Sequence, residues 1–206
     1  MTTEGNGLTA TGMFLFFSRN DSLVSRLIRR VCGCPWSHCG FGFSFDEPEK
    51  QSPRISRIDA NGAAQTAVYY EALFGRQIAP PRPLADLAAW AAAAKGREFV
   101  VVDIPFVSPE IAERKRMIAE TFVQAATYGG LQLLAMFFFL EFGWRVPRSV
   151  GRVVCSEFVA RVLFPEIWML DNFDEVTPGD VWNWAMHAGT TSPGNGRSAQ
   201  GEMATC

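Results

Sequence analysis

Charge, histidine and long apolar runs are all scarce in this chain, and each scarcity narrows what it can do. Lys and Arg number 19 against 21 Asp and Glu in 206 residues, a net charge of −2. A protein that tracks nucleic-acid phosphates carries a clear basic excess, so no nucleic-acid partner is expected. Only two histidines occur, His38 and His187, so imidazole-dependent chemistry must use one of them. The most apolar stretch, Leu131–Leu140 (LQLLAMFFFL), falls short of the ~20 residues that span a bilayer. The opening MTTEGNGLTATGMFLFF lacks a basic n-region, and its apolar run Met13–Phe17 is too short for a signal core. A cytoplasmic location is expected, or export by a route that reads no Sec signal.

Cysteine is present but not in a pattern that builds a scaffold. There are five, Cys32, Cys34, Cys39, Cys155 and Cys206, an odd number with three crowded into eight residues. That argues against a secreted disulfide framework and for a reducing compartment. Cys32, Cys34, Cys39 and His38 also lack the separated C-x2-C pairs of a structural zinc site. Neither a metal nor a cofactor is expected, and Cys32 and Cys34 read as turn thiols.

Apolar residues make up 48% and charged residues 19% of the chain, the balance of a folded domain. A chain of this length buries roughly 70% of its unfolded surface and needs no staple. One domain over residues 1–188 is expected. Residues 189–206, rich in Gly, Ser, Thr, Pro and Asn, read as a flexible tail.

Periodicity predicts the elements. Met13–Phe17 reads as a buried strand. Asn20 or Asp21 then caps a helix to about Val31, with Leu23, Leu27, Ile28 and Val31 on one face and Arg26, Arg29 and Arg30 on the other. After the CGCP turn, His38–Phe45 alternates. Cys39, Phe41, Phe43 and Phe45 make an apolar face, and His38, Gly40, Gly42 and Ser44 make one open to a site. Asp46–Ala64 reads as a loop or an inserted hairpin around Arg54–Asp59. Ala67–Leu73 is a strand, Pro80–Pro83 a rigid linker, Leu84–Ala94 a helix ending at Gly96, and Glu98–Ile104 a strand. Ser108 caps a helix that Pro109 starts and that runs to about Ala126. A helix begins at Cys155, and Thr177-Pro178 opens the last one.

Two of these positions carry chemistry. Cys155 stands at a predicted helix N-terminus, where unpaired amides and the helix dipole favour a thiolate. The same amides suit a developing oxyanion. His38 starts a strand, and an imidazole beside a thiolate makes an activated nucleophile once a third polar group orients the ring. His187, late in the last helix, reads as a surface residue.

The segments Ser37-His38-Cys39-Gly40-Phe41, Tyr70-Glu71-Ala72-Leu73 with Gly75, and Val154-Cys155-Ser156-Glu157-Phe158-Val159 occur in that order. They resemble the NlpC-like papain-fold cysteine hydrolases, in the circularly permuted branch that includes YiiX-like proteins and relatives of lecithin:retinol acyltransferase. The resemblance spans roughly Met13 to Trp184. It implies an α+β, permuted papain-like fold: an antiparallel sheet with the nucleophile at the N-terminus of a packed helix. It also implies Cys155 as nucleophile, His38 as general base and Glu71 as the group orienting the imidazole. The segment between His38 and Glu71 is long for adjacent strands, so Asp46 and Asp59 stand as alternatives to Glu71.

The reaction so implied is acyl transfer through an acyl-thioenzyme. A peptide amide, as in an amidase or peptidase acting on cell-wall-type peptides, is the leading substrate class, with delivery to another cell as an effector among the expectations. A lipid-directed acyltransferase or phospholipase is the second reading, and a non-catalytic binding module the third. Leu131–Leu140 reads either as core or as a surface for a membrane, an acyl chain or a partner. Its three consecutive phenylalanines cannot share one helical face.

Overall fold

A computed structural model of the chain describes residues 9–45, 55–56, 67–72, 78–104, 107–128, 152–163 and 176–188. Within them lies a six-stranded, wholly antiparallel sheet. Its strands are β1 (Gly12–Arg19), β2 (His38–Ser44), β3 (Ile55–Ser56), β4 (Val68–Tyr70), β5 (Arg82–Pro83) and β6 (Glu98–Asp103), in the spatial order β3-β6-β1-β2-β4-β5. Five helices accompany it: α1 (Leu23–Val31), α2 (Leu84–Ala92), α3 (Pro109–Ala125), α4 (Cys155–Leu163) and α5 (Pro178–Ala188). Two short segments, β7 (Thr127–Tyr128) and β8 (Arg152–Val153), pair in parallel beside them. The fold class is α+β. No helix among the described residues is long and apolar enough to cross a membrane.

The unbroken apolar run of β1 is explained by its position. It is central, between β2 and β6, and both of its faces are buried. Met13, Leu15 and Phe17 join Cys39, Phe41, Phe43 and Tyr70 in the main core, which also takes in α3, α4 and α5. Phe14 and Phe16 point the other way, into a smaller core with Tyr69, Leu84 and Leu87, closed by α2. Aromatic rings knit the main core. Phe41 stacks on Tyr70 at 5.7 Å between centroids and meets Phe158 of α4 at 5.0 Å. Each such ring contributes about 1.5–3 kcal/mol by leaving water.

The glycines of β2 correct the reading of its second face. A Cβ on Gly40 would fall within the Phe16 ring and 2.6 Å from the Tyr70 carbonyl oxygen, and one on Gly42 would meet Phe14 and the Val68 carbonyl oxygen. These glycines admit the β1 aromatics and close that face. Only the His38 end of the strand remains for a site.

The helix starts follow local chemistry. Ser108 Oγ accepts from the Ile111 amide, with Pro109 in the first turn, as predicted. Thr177 and Asp180 form a reciprocal capping box on α5. Ser22, rather than Asn20 or Asp21, caps α1, while Asn20 Oδ1 takes the Ser22 amide. The apolar face of α1 departs from expectation as well. Ser25 is the residue it buries, and Leu23, Val24 and Leu27 are exposed. The segment read as a rigid linker contains β5, which pairs with β4 at Val68 and Tyr69.

Candidate active site

Cys155 is the first residue of α4, and α4 lies buried along β2 with only Arg161 exposed. The helix start is built by its own sequence. Glu157 Oε2 reaches back to the Val154 amide at 3.4 Å, while Glu157 Oε1 holds Arg161 at 2.7 Å. This is the backward half of a capping box. The Ser156 hydroxyl donates to the Val176 carbonyl at 2.6 Å, tying α4 to the approach to α5. The amides of Cys155 and Ser156 belong to the first turn and have no acceptor within the helix.

His38 is held from the other side. Ser37 donates its amide to the Ser18 carbonyl at 3.2 Å, and its hydroxyl meets that of Ser25 at 2.7 Å. The CGCP turn rests on the start of α5, where the Cys32 carbonyl oxygen lies against Gly179 and a Cβ there would approach it to 2.7 Å. The Trp36 ring packs against Trp182 of α5 at 5.6 Å, and Trp182 meets Phe17 edge-on at 5.0 Å. The ring of His38 is thereby fixed at the sheet end, 21% exposed at its side chain.

Glu71 follows β4 directly and is 8% exposed at its side chain. Its Oε2 lies 3.3 Å from His38 Nε2, the separation of an ion pair, without the alignment of a hydrogen bond. Its Oε1 pairs with Arg82 of β5, whose guanidinium also lies over the Tyr69 ring at 5.1 Å. The pairing of β4 with β2 and β5 makes this arrangement. Tyr70 faces Phe41 and Tyr69 faces Arg82, so the residue after Tyr70 lies diagonal to His38. With Nε2 turned to Glu71, the opposite ring nitrogen is left for a thiol.

Cys155, His38 and Glu71 are therefore brought together, with Cys155 hydrogen-bonded to both the His38 ring and the Cys39 thiol. The Cys155 thiol is held well below the ordinary thiol range. The hydrogen bond from Cys39 is the largest cause, burial opposes it, and the charge of His38 adds to the lowering. Cys39 is pushed well above that range by burial and by the neighbouring Cys155, so it remains the proton donor of the pair. Burial also raises Cys34, and burial with the charges of Cys155 and Cys34 pushes Cys32 up to about 12. Cys155 is the one thiol of this cluster whose ionisation is favoured.

Two contributors escape sequence reasoning. Alternation along β2 places Cys39 on the face opposite His38, as expected, but that is the face α4 covers, so Cys39 meets Cys155. Arg82 sits in what reads as a linker. Asp46, Asp59, Leu131–Leu140 and Cys206 lie outside the described residues. His187 is exposed, with Nδ1 2.6 Å from the Asn183 carbonyl oxygen, away from the chemistry just described. Among the described residues no group of three His, Cys, Asp or Glu is arranged to hold a metal ion. In comparisons with known proteins, the chain matches no family model and no curated protein.

Proposed function

We propose that the chain is a cysteine hydrolase of the permuted papain-like type, with Cys155 as nucleophile, His38 as its acid and base, and Glu71 orienting His38. The observation that carries this reading is one contact set: a helix-N-terminal thiol whose ionisation is favoured lies beside a histidine whose far nitrogen faces a buried carboxylate. A structural thiol in a core has its ionisation suppressed, as at Cys39. The order also agrees, with the base on an early strand and the nucleophile on a late helix.

In this mechanism the Cys155 thiolate attacks an acyl carbonyl, forming the C–S bond. The oxygen gains negative charge against the first-turn amides of α4. Protonated His38 gives its proton to the leaving amine or alcohol as the carbonyl re-forms. Water then attacks the thioester, His38 takes its proton, and the acid leaves with Cys155 returned as thiolate. The leading substrate is a peptide amide, such as a cell-wall-type peptide. An acyl lipid is the second reading, favoured by the exposed leucines of α1.

Intact-mass spectrometry on the full chain, offered a panel of peptide amides and acyl lipids, tests both readings. A covalent acyl adduct on Cys155, absent from Cys155→Ala, is expected from one of the two classes. Iodoacetamide modification of Cys155 without an adduct from any panel member would favour the binding-module reading.

A further inference from the structure

Helix α1 is inside out. It buries Ser25, whose hydroxyl is spent on Ser37 beside the His38 strand, and turns Leu23, Val24 and Leu27 to water, with Ile28 and Val31 half-buried. Leu23 is 75% exposed, Val24 57% and Leu27 47%. At 100° per residue, Leu23, Leu27, Val31 and Val24 form one outward strip, and Arg26 and Arg30 run along one edge of it, both exposed. The helix contains no acidic residue. The face is held rigidly by a Ser22 cap at one end and a closing turn at Cys32 at the other. Apolar side chains displayed beside a row of arginines, on a helix lying at the surface, are the composition of an interfacial membrane helix. An uncharged apolar partner leaves Arg26 and Arg30 unmatched; an anionic bilayer meets both halves of the face. The strip also leads through the CGCP turn into Trp36 and His38, so a surface seated on α1 lies next to the chemistry.

We infer that α1 docks this protein on anionic lipid bilayers, with Leu23, Val24 and Leu27 entering the interface and Arg26 and Arg30 facing lipid phosphates. This reading is independent of the reaction at Cys155. It is tested by co-sedimentation of the full chain with vesicles of phosphatidylcholine alone or mixed with phosphatidylglycerol. Binding is expected to the mixed vesicles and to fall with added salt. Arg26→Gln with Arg30→Gln is expected to weaken it about 25-fold, since each arginine near an anionic surface is worth about fivefold. Leu23→Ser with Leu27→Ser is expected to weaken it about tenfold or more, while Met117→Ser, an exposed apolar residue on α3, leaves it unchanged. Melting temperature and Cys155 alkylation, measured on each variant, separate lost docking from lost folding. Absence of binding in the parent overturns the inference. So does binding that the α1 variants leave intact, or a solution dimer that Leu23→Ser with Leu27→Ser splits into monomers.

Discussion

At the scale of single residues, the candidate site is a row of five polar groups in which each neighbour sets the state of the next. Cys39 donates to Cys155 and His38 lends it positive charge. Glu71 faces His38, and Arg82 pairs with Glu71. Because the Cys155 thiol is lowered, its reactive thiolate persists as pH falls and disappears only below that lowered value. An ordinary thiol is about 0.3% ionised at pH 6. At that pH iodoacetamide is therefore expected to label Cys155 well ahead of Cys32, Cys34, Cys39 and Cys206, as read by peptide mass mapping. Equal labelling of Cys206 would count against the assignment. Cys39→Ala removes a hydrogen bond to a charged group, which is worth about 1.5–3 kcal/mol. The pH midpoint of Cys155 alkylation is then expected to rise by about one to two units.

Glu71 and Arg82 belong to the same scale. Glu71→Gln keeps the shape but removes the charge facing His38, and turnover is expected to fall roughly 10- to 1000-fold with the melting temperature little changed. Arg82→Met leaves a buried carboxylate without its cation, while Arg82→Lys restores a charge without the planar fork. Arg82→Lys is expected to recover part of the activity that Arg82→Met loses, mainly in kcat. Retained activity in Glu71→Gln, with loss in Asp46→Asn or Asp59→Asn, would reassign the orienting group.

At the scale of elements, β2 and α4 carry the site, and their packing tolerates little change. At Gly42 the Phe14 ring of β1 and the Val68 carbonyl of β4 occupy the space of any side chain. The carbonyl is backbone and cannot swing away. Gly42→Ala is expected to destabilise by about 1–3 kcal/mol, the range of overpacking. For a chain of this size that lowers the melting temperature by roughly 2–12 °C. A melting temperature equal to the parent's, measured by near-UV circular dichroism, would show that the strand pair spreads freely. Helix α4, by contrast, has its start specified locally through Glu157.

At the scale of the whole molecule, the site exists only where the start of β2, the end of β4 with β5, and the start of α4 meet, with the start of α5 packed beside them. Trp182 of α5 braces this end of the sheet by touching Phe17 of β1 and Trp36 of the turn before β2. Selective labelling of Cys155 is therefore expected to vanish at the same denaturant concentration at which tryptophan fluorescence reports unfolding, with all five cysteines then reacting alike. Loss of selectivity well before the fluorescence change would show that the thiol environment belongs to a separately opening part.

The division between what sequence and fold each decide follows from the range of the forces involved. Period-2 alternation, caps and glycine or proline signals act over a few residues. β1, β2, β6, α3 and the start of α4 were thus legible in order and type, as were Cys155 and His38 as the pair to watch. Glu71 could be named only by resemblance, because nothing within its own strand distinguishes an orienting carboxylate from one facing water. Its place diagonal to His38 comes from the pairing of β4 with β2. The same pairing, continued to β5, turned an apparent linker into the strand that brings Arg82 to Glu71. Hydropathy likewise assigned α1 a buried apolar face, yet a helix buries whichever side its strand connections present to the sheet, and here that side carries Ser25. Cys39 was legible as core, but its contact with Cys155 depended on which helix covered that core. Covalent neighbours and local hydrogen bonds thus set the elements and the reactive types, whereas non-local strand pairing and helix placement decided which of those residues face one another.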